Sequence, residues 1–228
     1  MNTAQEKKLD NGLTLWYREG SSDLAVYKEN EYYRNCFPGE NDVIMDVGAN
    51  IGDMPLKWGN RVKEIHCYEP MPDTFRILRM NIEGNRLDNC KSYEVALGHG
   101  DGEIEIWTNL KRSHAYAKSS TVSKRARTCI TVKKGDFEAE ALRIKPTIIK
   151  IDIEGGEREI IENTSDKVFE SCHTFLLEIH PNMWKDGEEW IEAVEKRFKK
   201  IFGTSNNIGN CWFHKVHMGS IWKFSRNK

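Results

Sequence analysis

The sequence predicts an α/β fold, a doubly wound and mostly parallel sheet with a late antiparallel strand, and three observations predict it. Apolar runs such as Val43-Ile44-Met45 and Ile148-Ile149 are nearly unbroken, as in strands covered on both faces. These runs alternate with stretches of helical character, the pattern of βα repeats. Asp46, Glu69, Asp152 and the Glu178–His180 segment all fall where such runs end, and parallel sheets bind ligands at the carboxyl ends of their strands.

Each element has its own reason. Residues 1–40 mix short strand-like pieces, such as Leu13–Tyr17, with polar turns. Pro38-Gly39-Glu40-Asn41-Asp42 is a turn signal ahead of strand Val43–Val47. Pro55 suits the first turn of a helix, where a missing N–H costs little. Ile65–Glu69 is the second strand. Pro72-Asp73 opens a helix to about Asn85, with Phe75, Leu78 and Ile82 at helical spacing. Ser92–Leu97 reads as a third strand, Gly98–Gly102 as a tight turn and Glu103–Thr108 as an alternating, exposed strand. Residues 109–127 lack periodicity and read as a long loop, a kind often functional in compact domains. Cys129–Val132 is a short strand, Thr147–Asp152 a β-rich run, and Gly156–Asn163 opens a helix. Thr174–Ile179 is another buried strand, followed by an amphipathic helix around Glu188–Lys200. Two late strands, near Ile201–Thr204 and Ile221–Phe224, would close the sheet.

A chain of 228 residues can form one well-packed domain. Hydrophobic content of 39% and charged content of 30% describe a globular protein. A formal net charge of −1 gives no general pull toward nucleic acid or anionic lipid. There is no apolar run of the ~18 residues that would span a membrane, and the N-terminus does not read as a signal peptide. None of the six cysteines is paired at metal or redox spacing. Reduced, mostly buried thiols in a cytoplasmic protein are expected.

The turn Asp46-Val47-Gly48-Ala49-Asn50-Ile51-Gly52-Asp53 follows the first core strand, and Glu69 closes the second, 23 residues after Asp46. That spacing suits one βαβ unit cradling a nucleoside. Gly48 and Gly52 let the backbone approach a ligand closely, and the loop N–H groups with the following helix favour an anion. A methionine carboxylate or a pyrophosphate would satisfy that feature equally. A dinucleotide fingerprint, however, needs glycine at its first, third and sixth positions. Counting from Gly48, the third is Asn50 and the sixth is Asp53, and Asp53 would repel a pyrophosphate. The pattern therefore favours S-adenosylmethionine over NAD or FAD. Glu69 would accept hydrogen bonds from the ribose hydroxyls, Asp46 would orient the loop or the cofactor's ammonium, and Met71 would pack on the adenine or in the core.

Four segments resemble the FkbM family of methyltransferases: Asp46–Gly52, Tyr68-Glu69-Pro70, Ala96-Leu97-Gly98 and Ile149–Glu157, with Leu177–His180 extending the match over roughly residues 38–182. The resemblance implies a Rossmann-like class I fold that uses S-adenosylmethionine, usually to O-methylate sugars or other secondary hydroxyls. It implies cofactor binding by Asp46, Gly48, Asn50, Gly52 and Glu69, with Ala96 of the third segment beside them. Residues 1–40 then form an N-terminal extension packed on the core and residues 41–228 the methyltransferase domain. The segment beyond about residue 185 lies outside the resemblance and is expected to choose the acceptor.

Methyl transfer to a hydroxyl is helped by a general base. Asp152, at the end of its strand, and His180, whose ring ordinarily titrates near neutral pH, are the leading candidates. Glu154 joins them in the acceptor pocket, while Glu157 in the first helical turn favours the helix dipole. Asp152, Glu154 and Glu178 offer oxygens that would suit magnesium or calcium, but no metal is assigned. His214 and His217 lack an acid or cysteine pair and read as edge-strand residues. From Lys111 to Lys134 the chain carries eight Lys or Arg and no Asp or Glu. That stretch, including His114, Tyr116, Lys124, Arg125 and Arg127, reads either as a loop gripping an anionic acceptor or as a solvated surface loop. The leading function is O-methylation of a sugar, glycan or related small molecule. An RNA methyltransferase and a non-catalytic cofactor-binding protein are the alternatives, and low net charge weighs against RNA.

Overall fold

The computed structural model describes residues 4–28, 35–108, 128–180, 184–213 and 216–226. Among the described residues, twelve strands run in chain order: β1 (Ala4–Lys8), β2 (Thr14–Arg18), β3 (Val43–Val47), β4 (Glu64–Tyr68), β5 (Cys90–Tyr93), β6 (Ala96–Gly98), β7 (Gly102–Thr108), β8 (Thr128–Asp136), β9 (Ile148–Ile151), β10 (Thr174–Ile179), β11 (Thr204–Phe213) and β12 (Val216–Ser225). Seven of them form the main sheet in the order β11-β12-β10-β9-β3-β4-β5. Strands β10, β9, β3, β4 and β5 are parallel, while β12 runs antiparallel to β10 and β11 antiparallel to β12.

Alternation along the strands explains the two winding directions. Met45, Val47, Ile149, Ile151, Phe175 and Leu177 bury one face of the sheet, and Ile44, Ile148 and Leu176 bury the other. The first face meets the helices Phe137–Ile144, Glu157–Asn163, Asp166–Ser171 and Gly187–Phe202; the second meets Asp53–Trp58 and Pro72–Glu83. Phe169, Phe175, Phe198 and Phe224 pack ring on ring at 4.8–5.9 Å. Each such buried side chain contributes roughly 1.5–3 kcal/mol.

Strand β3 lies between β4 and β9, and the chain crosses the sheet in opposite directions on its two sides. This is the topological switch point, where a crevice opens at the carboxyl ends of the strands. The β1–β2 hairpin packs beside it: Leu15 is buried with Ile51, Leu56 and Ile77, and Asn81 bonds the Trp16 backbone at both N–H and C=O.

Several boundaries differ from the sequence reading. The third strand splits: Cys90–Tyr93 joins the main sheet, while Ala96–Gly98 pairs with β8 in a separate sheet of order β6-β8-β7. The last helix continues through Phe202 and ends at Gly203, which has φ 88°, so Ile201 belongs to the helix. The closing strands are correspondingly longer, Thr204–Phe213 and Val216–Ser225. Helix Phe137–Ile144 was not anticipated. Its signal was present, since Asp136 caps it by accepting from the Ala139 N–H at 2.8 Å and Glu138 and Glu140 lie in its first turn. Of the described cysteines, Cys36, Cys67, Cys90 and Cys172 are buried and Cys129 is exposed. Among the described residues no helix is long and apolar enough to cross a membrane.

Candidate active site

A cleft of about 200 Å³ opens at the switch point. Gly48, Asn50, Glu69 and Pro70 line it together with the acids Asp152, Glu154, Glu159 and Glu178, and Val95, Ala96, Ile104 and Ile106 form an apolar wall. The small β6-β8-β7 sheet supplies most of that wall, which is why the split of the third strand matters for function.

Glu69 follows β4 directly. Its Oε2 accepts from the Asn50 N–H at 3.0 Å and its Oε1 from the Met71 N–H at 2.9 Å. Each oxygen can accept more than one bond, so capacity remains for two hydroxyl donors. Burial raises the Glu69 carboxyl to about 7. Asn50 has φ 48°, a left-handed conformation that Asn tolerates better than most residues.

Asp46 is wholly buried and does not line the cleft. Asp46 and Lys150 are register partners on β3 and β9, and Lys150 Nζ lies 3.2 Å from Asp46 Oδ1, 3.6 Å from Asp152 Oδ2, and donates to the Gly48 carbonyl at 2.7 Å. Burial alone would lower the Lys150 ammonium, but Asp46, Asp152 and Asp53 outweigh it and keep it charged. Asp46 therefore reaches the loop through Lys150, which pairs with it and donates to the Gly48 carbonyl. Sequence reasoning missed Lys150, because its importance depends on which strand lies beside it.

Both glycines also sit where a side chain would collide with protein. A Cβ on Gly48 would sit 1.8 Å from the Asp152 backbone oxygen, and Gly48 has φ 83°. Gly52 has φ 91° and would meet Leu78 Cδ1 at 2.7 Å. The close approaches are to protein, and Gly48 is what lets β3 and β9 meet at the switch point. Gly48→Ala is expected to cost about 2 kcal/mol, read as a lower midpoint in urea denaturation. Met71 takes one of its two expected places: its side chain packs in the core with Ala96, Ile106 and Val132, and its backbone N–H donates to Glu69.

On the other side, Glu157 is completely buried. It accepts from the Ile153 N–H at 3.0 Å and the Gly155 N–H at 2.8 Å, and its Oε1 lies 3.3 Å from His180 Nδ1. Glu157 thus clamps the turn carrying Glu154 (φ 55°) and Gly155 (φ 110°), a larger role than favouring a helix dipole. His180 Nε2 lies 3.5 Å from Glu178 and 3.7 Å from Glu154. Burial disfavours its charge, but Glu157, Glu154 and Glu178 outweigh this and push its titration up to about 10. The three surrounding carboxylates thus favour the imidazolium form of His180. Because its pKa rises on folding from 6.5 to about 10, the stability it contributes is complete below about pH 6.5 and is lost as pH rises toward 10. The thermal midpoint is expected to fall over that window, and His180→Gln should flatten the slope.

Asp152, Glu178 and His180 place one ligand atom each within 4.8 Å of one another, a group able to hold a metal ion. The Lys111–Arg127 basic residues, His114, Tyr116 and His214 lie outside the described residues, as does the side chain of His217. Lys134 is described and pairs with Glu159 at 3.2 Å.

The strand order, the switch-point cleft and the acid closing β4 define a class I methyltransferase fold. A family profile for the methyltransferase FkbM domain matches residues 46–201, and the chain belongs to the FkbM methyltransferase family. Its cofactor is S-adenosylmethionine. The chain is similar to the hexuronic acid methyltransferase AglP of Haloferax volcanii, with 29% identity over 148 residues, covering 62% of this chain and 57% of that protein. It is also similar in fold to the crystal structure of methyltransferase FkbM from Methylobacillus flagellatus, with a TM-score of 0.54 and 13% identity over 86% of this chain and 47% of that one. The chain thus spans about half the length of these two relatives.

The cleft suits the cofactor. Glu69 retains acceptor capacity toward it, Gly48 and Asn50 present backbone in the same cleft, and Ala96 with Ile104 and Ile106 offers an apolar surface for a base. Of the expected cofactor residues, Gly48, Asn50, Glu69 and Ala96 line the cleft, whereas Asp46, Gly52 and Met71 support it from behind.

Proposed function

We propose that this protein O-methylates a hydroxyl group of a sugar or glycan, with Asp152 as the general base. One observation carries the reading: besides Glu69, the cleft wall carries the four carboxylates of Asp152, Glu154, Glu159 and Glu178. Carboxylates are acceptors only, so this wall suits a ligand rich in hydroxyl donors. Similarity to a hexuronic acid methyltransferase supports a carbohydrate acceptor.

Bound S-adenosylmethionine supplies a methyl group activated by a sulfonium. The chain's own residues do the rest. Gly48, Asn50 and Glu69 hold the donor, and Glu154 and Glu178 accept from neighbouring hydroxyls to orient the acceptor. Asp152 accepts a hydrogen bond from the reacting hydroxyl and takes its proton as the oxygen–carbon bond forms and the carbon–sulfur bond breaks. Lys150 and the His180 imidazolium stay protonated and offset the carboxylate charge around the site.

The test combines calorimetry with S-adenosylhomocysteine and turnover on a panel of methyl glycosides. Measurable affinity together with transfer to a sugar hydroxyl is expected. Affinity without transfer to any hydroxyl compound would favour the non-catalytic alternative, and transfer to RNA alone would favour the other. Because the His180 imidazolium already occupies the Asp152–Glu178 corner, EDTA is expected to leave the rate unchanged. A rate lost to EDTA and restored by magnesium would place a cation there instead.

A further inference from the structure

A second cleft, of about 450 Å³, adjoins the first and shares Ile104, Gly156 and Glu159 with it. Its remaining wall includes Trp184, Arg158, Glu162 and Asn163. None of these lines the first cleft.

Trp184 is fixed before any ligand arrives. Its ring packs on Trp190 at 5.2 Å, and the Arg158 guanidinium lies over Trp190 at 5.6 Å. Arg158 is held in turn by both oxygens of Asp186, at 2.8 and 3.0 Å, and by Glu162 at 2.7 Å. Asn163 donates to the Glu159 carbonyl at 2.8 Å, and Glu159 Oε1 accepts from the His99 N–H at 3.2 Å. The result is a half-buried aromatic surface on a braced support, with carboxylates and an amide around it.

That combination has a chemical counterpart. A pyranose ring presents an apolar C–H face, suited to an indole, and hydroxyls around its edge, suited to carboxylate and amide oxygens. We propose that the second cleft is a subsite for the sugar unit linked to the one being methylated, so that the acceptor is an oligosaccharide of at least two units bound across both clefts. This rests on the sugar O-methyltransferase reading and adds the length of the acceptor and the residue that senses it.

The test uses the full chain with S-adenosylmethionine and, as acceptors, methyl glycosides of hexoses and hexuronic acids beside their disaccharides. For the sugar that is methylated, KM for the disaccharide should be at least tenfold below that of the matching methyl glycoside. Trp184→Ala should erase the difference by raising the disaccharide KM about tenfold, and Trp184→Phe, which keeps an aromatic face, should restore most of it. If Trp184→Ala does not fold, Trp184→Phe together with Glu162→Ala provides the comparison, with Glu162→Ala raising the disaccharide KM selectively. Equal KM values for the two acceptors, or a Trp184→Ala effect equal on both, overturns the subsite while leaving the sugar reading intact. Failure to methylate any glycoside by protein that still binds S-adenosylhomocysteine overturns both, as does Trp184-dependent methylation of RNA.

Discussion

Asp152→Asn is expected to lower kcat by about 10²–10⁴-fold, the usual contribution of a positioned general base. The side chain is 27% exposed in the cleft wall, while its backbone is fixed: the Asp152 N–H donates to the Val47 carbonyl at 3.0 Å, and the Asp152 carbonyl is the atom against which Gly48 packs. Asn preserves that backbone and the side-chain volume, and retains one acceptor oxygen. What it loses is a carboxylate able to take the proton, together with one charge facing Lys150 at 3.6 Å. Affinity for S-adenosylhomocysteine should therefore remain close to the original while single-turnover methyl transfer slows. A fall in kcat of less than about threefold would remove Asp152 as the base.

Glu69→Ala is expected to weaken S-adenosylhomocysteine binding by about 100-fold, or ~3 kcal/mol, because two hydrogen bonds to a charged acceptor contribute roughly 1.5–3 kcal/mol each. The substitution also leaves the Asn50 and Met71 N–H groups without their carboxylate partner, so the loop itself loses definition. Glu69→Gln separates the two effects, since its carbonyl can still accept from one of these groups. The carboxyl's position near 7 adds a signature. Ribose hydroxyls donate best to the ionised form, so affinity should rise from pH 6 to pH 8 and then level off. Binding at pH 6 should release a proton, visible as a dependence of calorimetric heat on buffer ionisation enthalpy. The Gln variant should show neither trend; an unchanged affinity in Glu69→Ala would remove this residue from the site.

Much of this site was readable along the chain. Glu69, Asn50, Gly48 and Ala96 line the cleft because strand ends and the turns after them are local features, marked by apolar runs, glycines and acids. The Asp152-x-Glu154 segment was legible for the same reason. Met71 was harder: its neighbour Glu69 captures its N–H, but the direction of its thioether depends on a small sheet whose strand β8 lies about sixty residues away in sequence. The surroundings of His180 were not legible, because only the fold encloses it with Glu154, Glu157 and Glu178.

The sequence by itself determined a parallel α/β sheet with acids at its strand ends and a glycine turn unsuited to a dinucleotide. Those properties follow from hydrophobic patterning and backbone preferences over a few residues. Only the tertiary structure decided that Lys150 locks the glycine turn from the neighbouring strand, that Gly48 meets the Asp152 carbonyl, that three carboxylates surround His180, and that a tryptophan platform continues the cleft. Each depends on register between strands or on packing between distant elements, and the electrostatics of a buried group are set by neighbours that sequence distance does not reveal.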